Sequence, residues 1–214
     1  MRLILVRHGQ TEWNRLRRIQ GISDQGLNET GLKQAEAIAE ALKDTNVAAI
    51  YTSPLQRARD TALAIGRYHA AEVVPLSGLR EMDAGEVDGL TYKEMAVRHS
   101  DFLEKWMRDC SSVRPPGGCT LSELQDQVWE AIEEIIEKQR AREADRKPDA
   151  NEVVVVVSHF FSILTTLCKV LGQSISECRR MRVDLASLCT LDFEPSRVVL
   201  VSMNDTCHLR ESPA

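Results

Sequence analysis

Apolar positions along the chain follow two rhythms. Leu3, Ile4, Leu5 and Val6 form an unbroken run that suits a strand covered on both faces, whereas Leu32, Ala35, Ile38, Ala39 and Leu42 recur at helical spacing between 31 and 43. A strand, a polar loop and a helix are expected. Ala48 to Tyr51 predicts a second strand, Pro54 opens a helix reaching His69, and Val73 to Leu76 predicts a third strand. After Gly85 and Gly89 the period loses order until the Pro115-Pro116-Gly117-Gly118 break, so 85–119 is expected to be a helical excursion beside the core, packed through Phe102 and Trp106. Thr120 and Glu123 have the spacing of a capping box. Behind them Leu121, Leu124, Val128, Ala131, Ile132, Ile135 and Ile136 place one apolar stripe on a long helix that runs to about Arg142. The β-branched run 153–157 predicts a central strand, and 188–193 with 198–202 predicts a closing strand pair around Glu194-Pro195. Strands alternating with helices imply an α/β fold, a three-layer α/β/α sandwich with a mainly parallel central sheet, as one domain over 1–214.

Composition narrows the partners. With 27 Lys+Arg against 32 Asp+Glu the net charge is −5, the wrong sign for a protein that grips nucleic acid by its phosphates. Lys169 interrupts the longest apolar stretch, 160–171, so no membrane span is expected, and the apolar run at the N-terminus is too short for a signal-peptide core. A cytoplasmic protein is the expectation. The six cysteines, at 110, 119, 168, 178, 189 and 207, show no C-x-x-C pair and no metal-ligand spacing, so free thiols are expected. The charge run from Lys138 to Lys147 mixes both signs and fits a solvated helix end. No internal repeat is visible, and a homodimer is compatible with the sequence.

In parallel sheets functional groups gather beyond the carboxyl ends of strands. Here those ends carry Arg7, His8, Gly9, Gln10 and Thr11; then Thr52, Ser53, Pro54 and Arg57; then Arg80 and Glu81; then Ser158 and His159. Two histidines, arginines and one carboxylate on one edge suit phosphoryl transfer. Arginine forks neutralise phosphoryl oxygens, a neutral imidazole can take the phosphoryl group, and a carboxylic acid can protonate the departing alkoxide. Arg7 and Arg57 are the expected cations, His8 the nucleophile, Glu81 the acid, and His159 a further donor. A metal held by His8, His159 and Glu81 is disfavoured because the arginines among them would repel a cation. No metal or cofactor is expected. His69 and His99 are expected at the surface, and His208 at the surface or the site rim. Gly26 to Gly31 with Lys33 lacks the Gly-Lys-Ser/Thr run of a P-loop and is read as a helix start.

The stretch Leu5-Val6-Arg7-His8-Gly9-Gln10-Thr11-Glu12-Trp13-Asn14 resembles the signature of the histidine phosphatase superfamily, the phosphoglycerate-mutase-like proteins. The likeness continues through Gln20-Gly21, Asp24, Leu27, Gly31 and Gln34-Ala35, then Ser53-Pro54-Leu55-Gln56-Arg57-Ala58 with Thr61-Ala62, then Leu79-Arg80-Glu81 with Gly85 and Gly89, and Val157-Ser158-His159. It implies a phosphoglycerate-mutase-like fold, a phosphohistidine at His8, a phosphate pocket from Arg7, Arg57 and His159, and Glu81 as proton donor. It also implies that Asn14, Gln20 and Gly21 line the phosphate or the catalytic loop. Thr11, and Phe160 where relatives commonly have Gly, complete the expected substrate-binding set. Where many relatives have Gly-Gly-Glu-Ser, this chain has Gly117-Gly118-Cys119-Thr120. Gln20-Gly21-Ile22 and Glu81-Met82-Asp83-Ala84-Gly85 replace the Thr-Gly-Trp and Glu-Arg-His-Tyr-Gly of cofactor-dependent mutases, which favours the phosphatase branch. Ala84 stands where some phosphoserine and glycosyl-phosphoglycerate phosphatases have His, while the ending Asn204-Asp205-Thr206-Cys207-His208-Leu209 resembles that of broad-specificity and phosphoserine phosphatases. An α-ribazole-phosphate phosphatase is also compatible. The expected activity is metal-independent hydrolysis of a small phosphorylated metabolite, with a mutase, or a non-catalytic phosphate-binding or signalling domain, as alternatives.

Overall fold

The computed structural model describes residues 1–144 and 152–209. Its centre is a six-stranded sheet of β1 (Arg2–Arg7), β2 (Val47–Thr52), β3 (Val73–Pro75), β4 (Val153–Ser158), β5 (Leu188–Phe193) and β6 (Val198–Asp205), in the order β3-β2-β4-β1-β5-β6. β5 pairs antiparallel with both β1 and β6, while β1, β2, β3 and β4 pair in parallel, so β5 alone runs against the rest. β4 is buried along its whole length between β1 and β2, as its β-branched run predicts.

Successive strand residues point to opposite faces, and each face is covered by helices. Leu3, Leu5, Val154 and Val156 pack with Ile132 and Ile135 of α6 (Leu121–Ala144) and Leu164 and Leu167 of α7 (Phe160–Val170). Ile4, Val6, Val155 and Val157 pack with Ile38 of α2 (Glu29–Leu42) and Ala58, Ala62 and Ile65 of α3 (Gln56–Gly66). This is the expected three-layer sandwich. It also sets up the site: the chain leaves β1 towards one face and β4 towards the other, so a crevice opens between their carboxyl ends.

Boundaries differ from the sequence expectation in identifiable ways. The third helix starts at Gln56 and stops at Gly66 rather than spanning Pro54 to His69. A four-residue α1 (Glu12–Arg15), capped by Thr11, interrupts the loop after β1 and is too short to show a period. The stretch read only as the longest apolar run is α7; Ser162 to Cys168 are all buried, so the helix has no polar face to reveal it. Within 85–119 lie α4 (Tyr92–Arg98) and α5 (Ser100–Arg108), with Trp106 edge-on to Phe161 at 5.8 Å and 5.6 Å from Phe102. Thr120 and Glu123 form the predicted capping box. All six cysteines are free thiols. Residues 145–147 of the charge run lie outside the described residues.

Candidate active site

β1 and β4 are in register with Arg7 opposite Ser158, so His8 and His159 leave the sheet side by side. Their ring centroids are 5.1 Å apart and both side chains are buried. The His8 backbone N–H donates to the Ser158 carbonyl at 3.1 Å, and its Nδ1 lies 2.7 Å from the Gly9 carbonyl oxygen. A carbonyl can only accept, so Nδ1 carries the proton and Nε2 keeps its lone pair. Gly9 is glycine because the loop presses on α2: a Cβ there would meet the Gly31 carbonyl oxygen at 2.6 Å.

The two cations are held from behind. Arg7 donates from Nη1 to the Val183 carbonyl at 2.7 Å, and its guanidinium lies over the Phe160 ring at 4.8 Å. Arg57, in the first turn of α3, is wholly buried and donates to the carbonyls of Gly21 at 2.7 Å and Ser23 at 2.8 Å. The Nε atoms of both arginines, Nε2 of Gln20 and both ring nitrogens of His159 are buried without a protein hydrogen-bond partner. Unpaired buried donors are costly. Arg7, Arg57 and His159 lie within electrostatic reach of His8, and Gln20 lines the same cleft, a set of groups that suits an oxyanion beside the His8 lone pair.

Glu81 is buried opposite, its Oε1 accepting from the Met82 N–H at 2.8 Å and its Oε2 from the Phe161 N–H at 3.1 Å. The segment carrying it is pinned by the Ser158 and Ser162 hydroxyls, which donate to the carbonyls of Leu79 and Arg80, each at 2.8 Å. Burial pushes the Glu81 carboxyl above its ordinary range, against the two backbone N–H groups and the arginines. Burial, then the charge of Arg57, holds both imidazoles well below the ordinary histidine value, with Arg7 adding to the effect. Burial likewise brings the two guanidinium groups down to about 10, so both stay charged near neutrality. The resting pattern is a neutral nucleophile, a carboxyl whose proton affinity burial increases, and two fixed cations.

A cleft of about 200 Å³ opens on this group, with Arg7, His8, Asn14, Gln20, Glu81 and Phe160 among its walls, and Gly21 on its edge. Arg57 and His159 are wholly buried and are not among its walls. The structure thus brings together the strand-end residues that the sequence singles out. Thr11 serves differently: its hydroxyl lies 3.0 Å from Asn14 Oδ1 and 2.8 Å from Gln20 Oε1, which fixes the loop and leaves Thr11 outside the cleft wall. His69 and His99 are half-buried rather than at the surface. His208 lies beneath the site, its Nε2 2.9 Å from the Ala186 carbonyl, while the Ala186 N–H donates to the His8 carbonyl at 3.1 Å. Sequence reasoning missed Arg18, Ile19, Met82, Tyr92 and Phe161 as cleft walls. Tyr92 arrives from α4, within a stretch that carried no readable period.

The sequence pattern of the histidine phosphatase superfamily, branch 1, matches residues 3–206. The chain belongs to this superfamily. Phosphoserine phosphatase 1 of Hydrogenobacter thermophilus is 34% identical over 211 residues, covering 99% of this chain and 95% of its own length. A probable phosphoglycerate mutase of Photorhabdus laumondii is 31% identical, covering 92% of this chain and 86% of its own. Among solved structures, the phosphoserine phosphatase of Entamoeba histolytica in complex with 3-phosphoglyceric acid superposes with a TM-score of 0.83 at 28% identity, covering 98% of this chain and 99% of its own. Phe160 lines the cleft with its ring against the Arg7 guanidinium, and Thr120 caps α6 with Cys119 just before it.

Proposed function

We propose that the chain is a metal-independent phosphatase of small phosphomonoesters that works through a phosphohistidine at His8. The observation that carries this reading is the ring of buried, unpaired donors on Arg7, Arg57, Gln20 and His159 around a histidine whose Nδ1–H is spent on the Gly9 carbonyl. A phosphoryl dianion satisfies those donors. His8 Nε2 attacks phosphorus, the ester P–O bond breaks, and the Glu81 carboxyl gives its proton to the departing alkoxide. Water then attacks the phosphohistidine, Glu81 as carboxylate takes the proton of that water, and the P–N bond breaks to release phosphate and restore His8. Asn14, Gln20, Gly21 and Phe160 shape the cleft around the substrate. Two guanidinium groups beside His8, His159 and Glu81, that of Arg57 buried and that of Arg7 half-buried on the cleft wall, oppose a divalent cation there, so the phosphoryl charge is met by protein groups alone.

A cleft of about 200 Å³ suits a small leaving group, and relatives named phosphoserine phosphatases make O-phospho-L-serine the first substrate to test. No helix among the described residues is long and apolar enough to cross a membrane. We place the enzyme in the cytoplasm, where its thiols stay reduced. The test is phosphate release from O-phospho-L-serine by enzyme kept in chelator; undiminished release is expected, and a requirement for added Mg²⁺ or Zn²⁺ would contradict it. Incubation with 3-phosphoglycerate, with and without a bisphosphate primer, distinguishes the mutase reading, which requires isomerisation instead of phosphate release.

A further inference from the structure

Arg17 follows α1 with φ 54°, in the left-handed region that residues with a side chain rarely adopt. The turn is held shut, since the Arg17 N–H donates to the Asn14 carbonyl at 3.1 Å and the Arg18 N–H to the Trp13 carbonyl at 2.9 Å. Neighbouring arginines then divide their tasks. Arg18 is committed to the Gly89 carbonyl at 2.6 Å and the Glu94 carboxylate at 3.0 Å, whereas the Arg17 side chain is exposed and has no hydrogen-bond or ion-pair partner among the described residues. It stands on the rim of an outer cleft of about 570 Å³ that shares Arg7, Asn14 and Tyr92 with the inner one. The inner leaving-group walls are largely apolar, with Ile19, Met82, Ala84 and Phe161. With Arg7 and Arg57 engaged by the phosphoryl group and Arg18 paired, Arg17 is the cation left for a second anionic group on the substrate. Asp184 lines the same outer cleft, its carboxylate already paired with Arg182 and Asn204.

We propose that Arg17 is a specificity-determining residue that receives a carboxylate on the leaving group, so that the preferred substrates are phosphomonoesters of hydroxy acids with a free carboxylate. This rests on the phosphatase reading above. The test compares O-phospho-L-serine with O-phosphoethanolamine, which keeps the phosphoester and the ammonium but lacks the carboxylate, on wild type, Arg17→Gly and Arg17→Lys. Glycine accepts the positive φ, so Arg17→Gly is expected to fold, and thermal melting checks this. Loss of a charge-assisted hydrogen bond lowers the phosphoserine to phosphoethanolamine ratio of kcat/KM by about tenfold or more in Arg17→Gly, chiefly through KM. Arg17→Lys retains most of the preference. Equal losses on both substrates, or an unchanged ratio, would overturn the assignment while leaving the phosphatase reading intact. A wild type that releases phosphate from neither of these, nor from p-nitrophenyl phosphate, would overturn both, and that result appears before any variant is compared.

Discussion

Glu81 and Phe161 are joined directly: the backbone N–H of Phe161, in the first turn of α7, donates to Oε2 of the carboxyl at 3.1 Å, while Met82 supplies the N–H for Oε1. The proposed proton donor is therefore oriented by the helix that follows β4 and His159. Glu81→Gln keeps the shape and loses the proton. It is expected to cost ~10²-fold or more in kcat for alkyl phosphates, and much less in the phosphorylation step for p-nitrophenyl phosphate, whose leaving group needs little protonation. Single-turnover kinetics on both esters measure this; equal losses would make Glu81 a positioning residue.

The pH profile follows from the directions of the shifts. His8 must be neutral to attack, and burial with the charges of Arg57 and Arg7 lowers its pKa, so the acid limb of kcat/KM lies below the ordinary histidine value of 6.5. Glu81 must be protonated, and burial raises its pKa, so the acid form persists above the ordinary carboxyl value of 4.5 and activity falls on the alkaline side as it ionises. Glu81→Gln should remove the alkaline limb. A limb unchanged by that variant would assign it to another group.

Arg57 carries charge and architecture together, because its guanidinium is clamped between the carbonyls of Gly21 and Ser23. Arg57→Ala is expected to lower kcat/KM by about 10²- to 10³-fold, as loss of a buried oxyanion donor does. Arg57→Lys keeps the charge but cannot bridge both carbonyls with a planar fork, so it should recover only part of the loss, with KM still raised. Full activity in Arg57→Lys would show that the fork is dispensable.

Much of this site was legible because strand ends are legible. The unbroken runs 3–6 and 153–157 place Arg7, His8 and His159 on one edge whatever the helix boundaries. Thr120 and Glu123 announce α6 through a local capping rule that tertiary context does not override. What stayed hidden depends on contacts distant in sequence. α7 is buried on all sides and so lacks a polar face, and Tyr92 reaches the cleft from α4, in a stretch without a period. The Thr11 hydroxyl looked available to substrate because nothing local indicates that Gln20 and Asn14 claim it. The left-handed turn at Arg17 likewise has no signal in the residue itself.

Vanadate, which adopts a trigonal bipyramid like the phosphoryl group in flight, should inhibit tightly, binding about 10²-fold or more better than substrate as transition-state mimics do. It should bind between Arg7, Arg57, His8 and His159 in a crystal. Vanadate seated elsewhere would contradict the site.

The covalent intermediate is the central claim, and trapping it is the direct measurement. Wild-type enzyme mixed with labelled phosphomonoester and quenched in alkali should carry a phosphoryl group that is stable in base and labile in acid. Peptide mapping should place it on Nε2 of His8, because Nδ1 is committed to the Gly9 carbonyl at 2.7 Å. His8→Ala should carry no label and show essentially no turnover. A label on another residue, or full turnover in His8→Ala, would contradict the account.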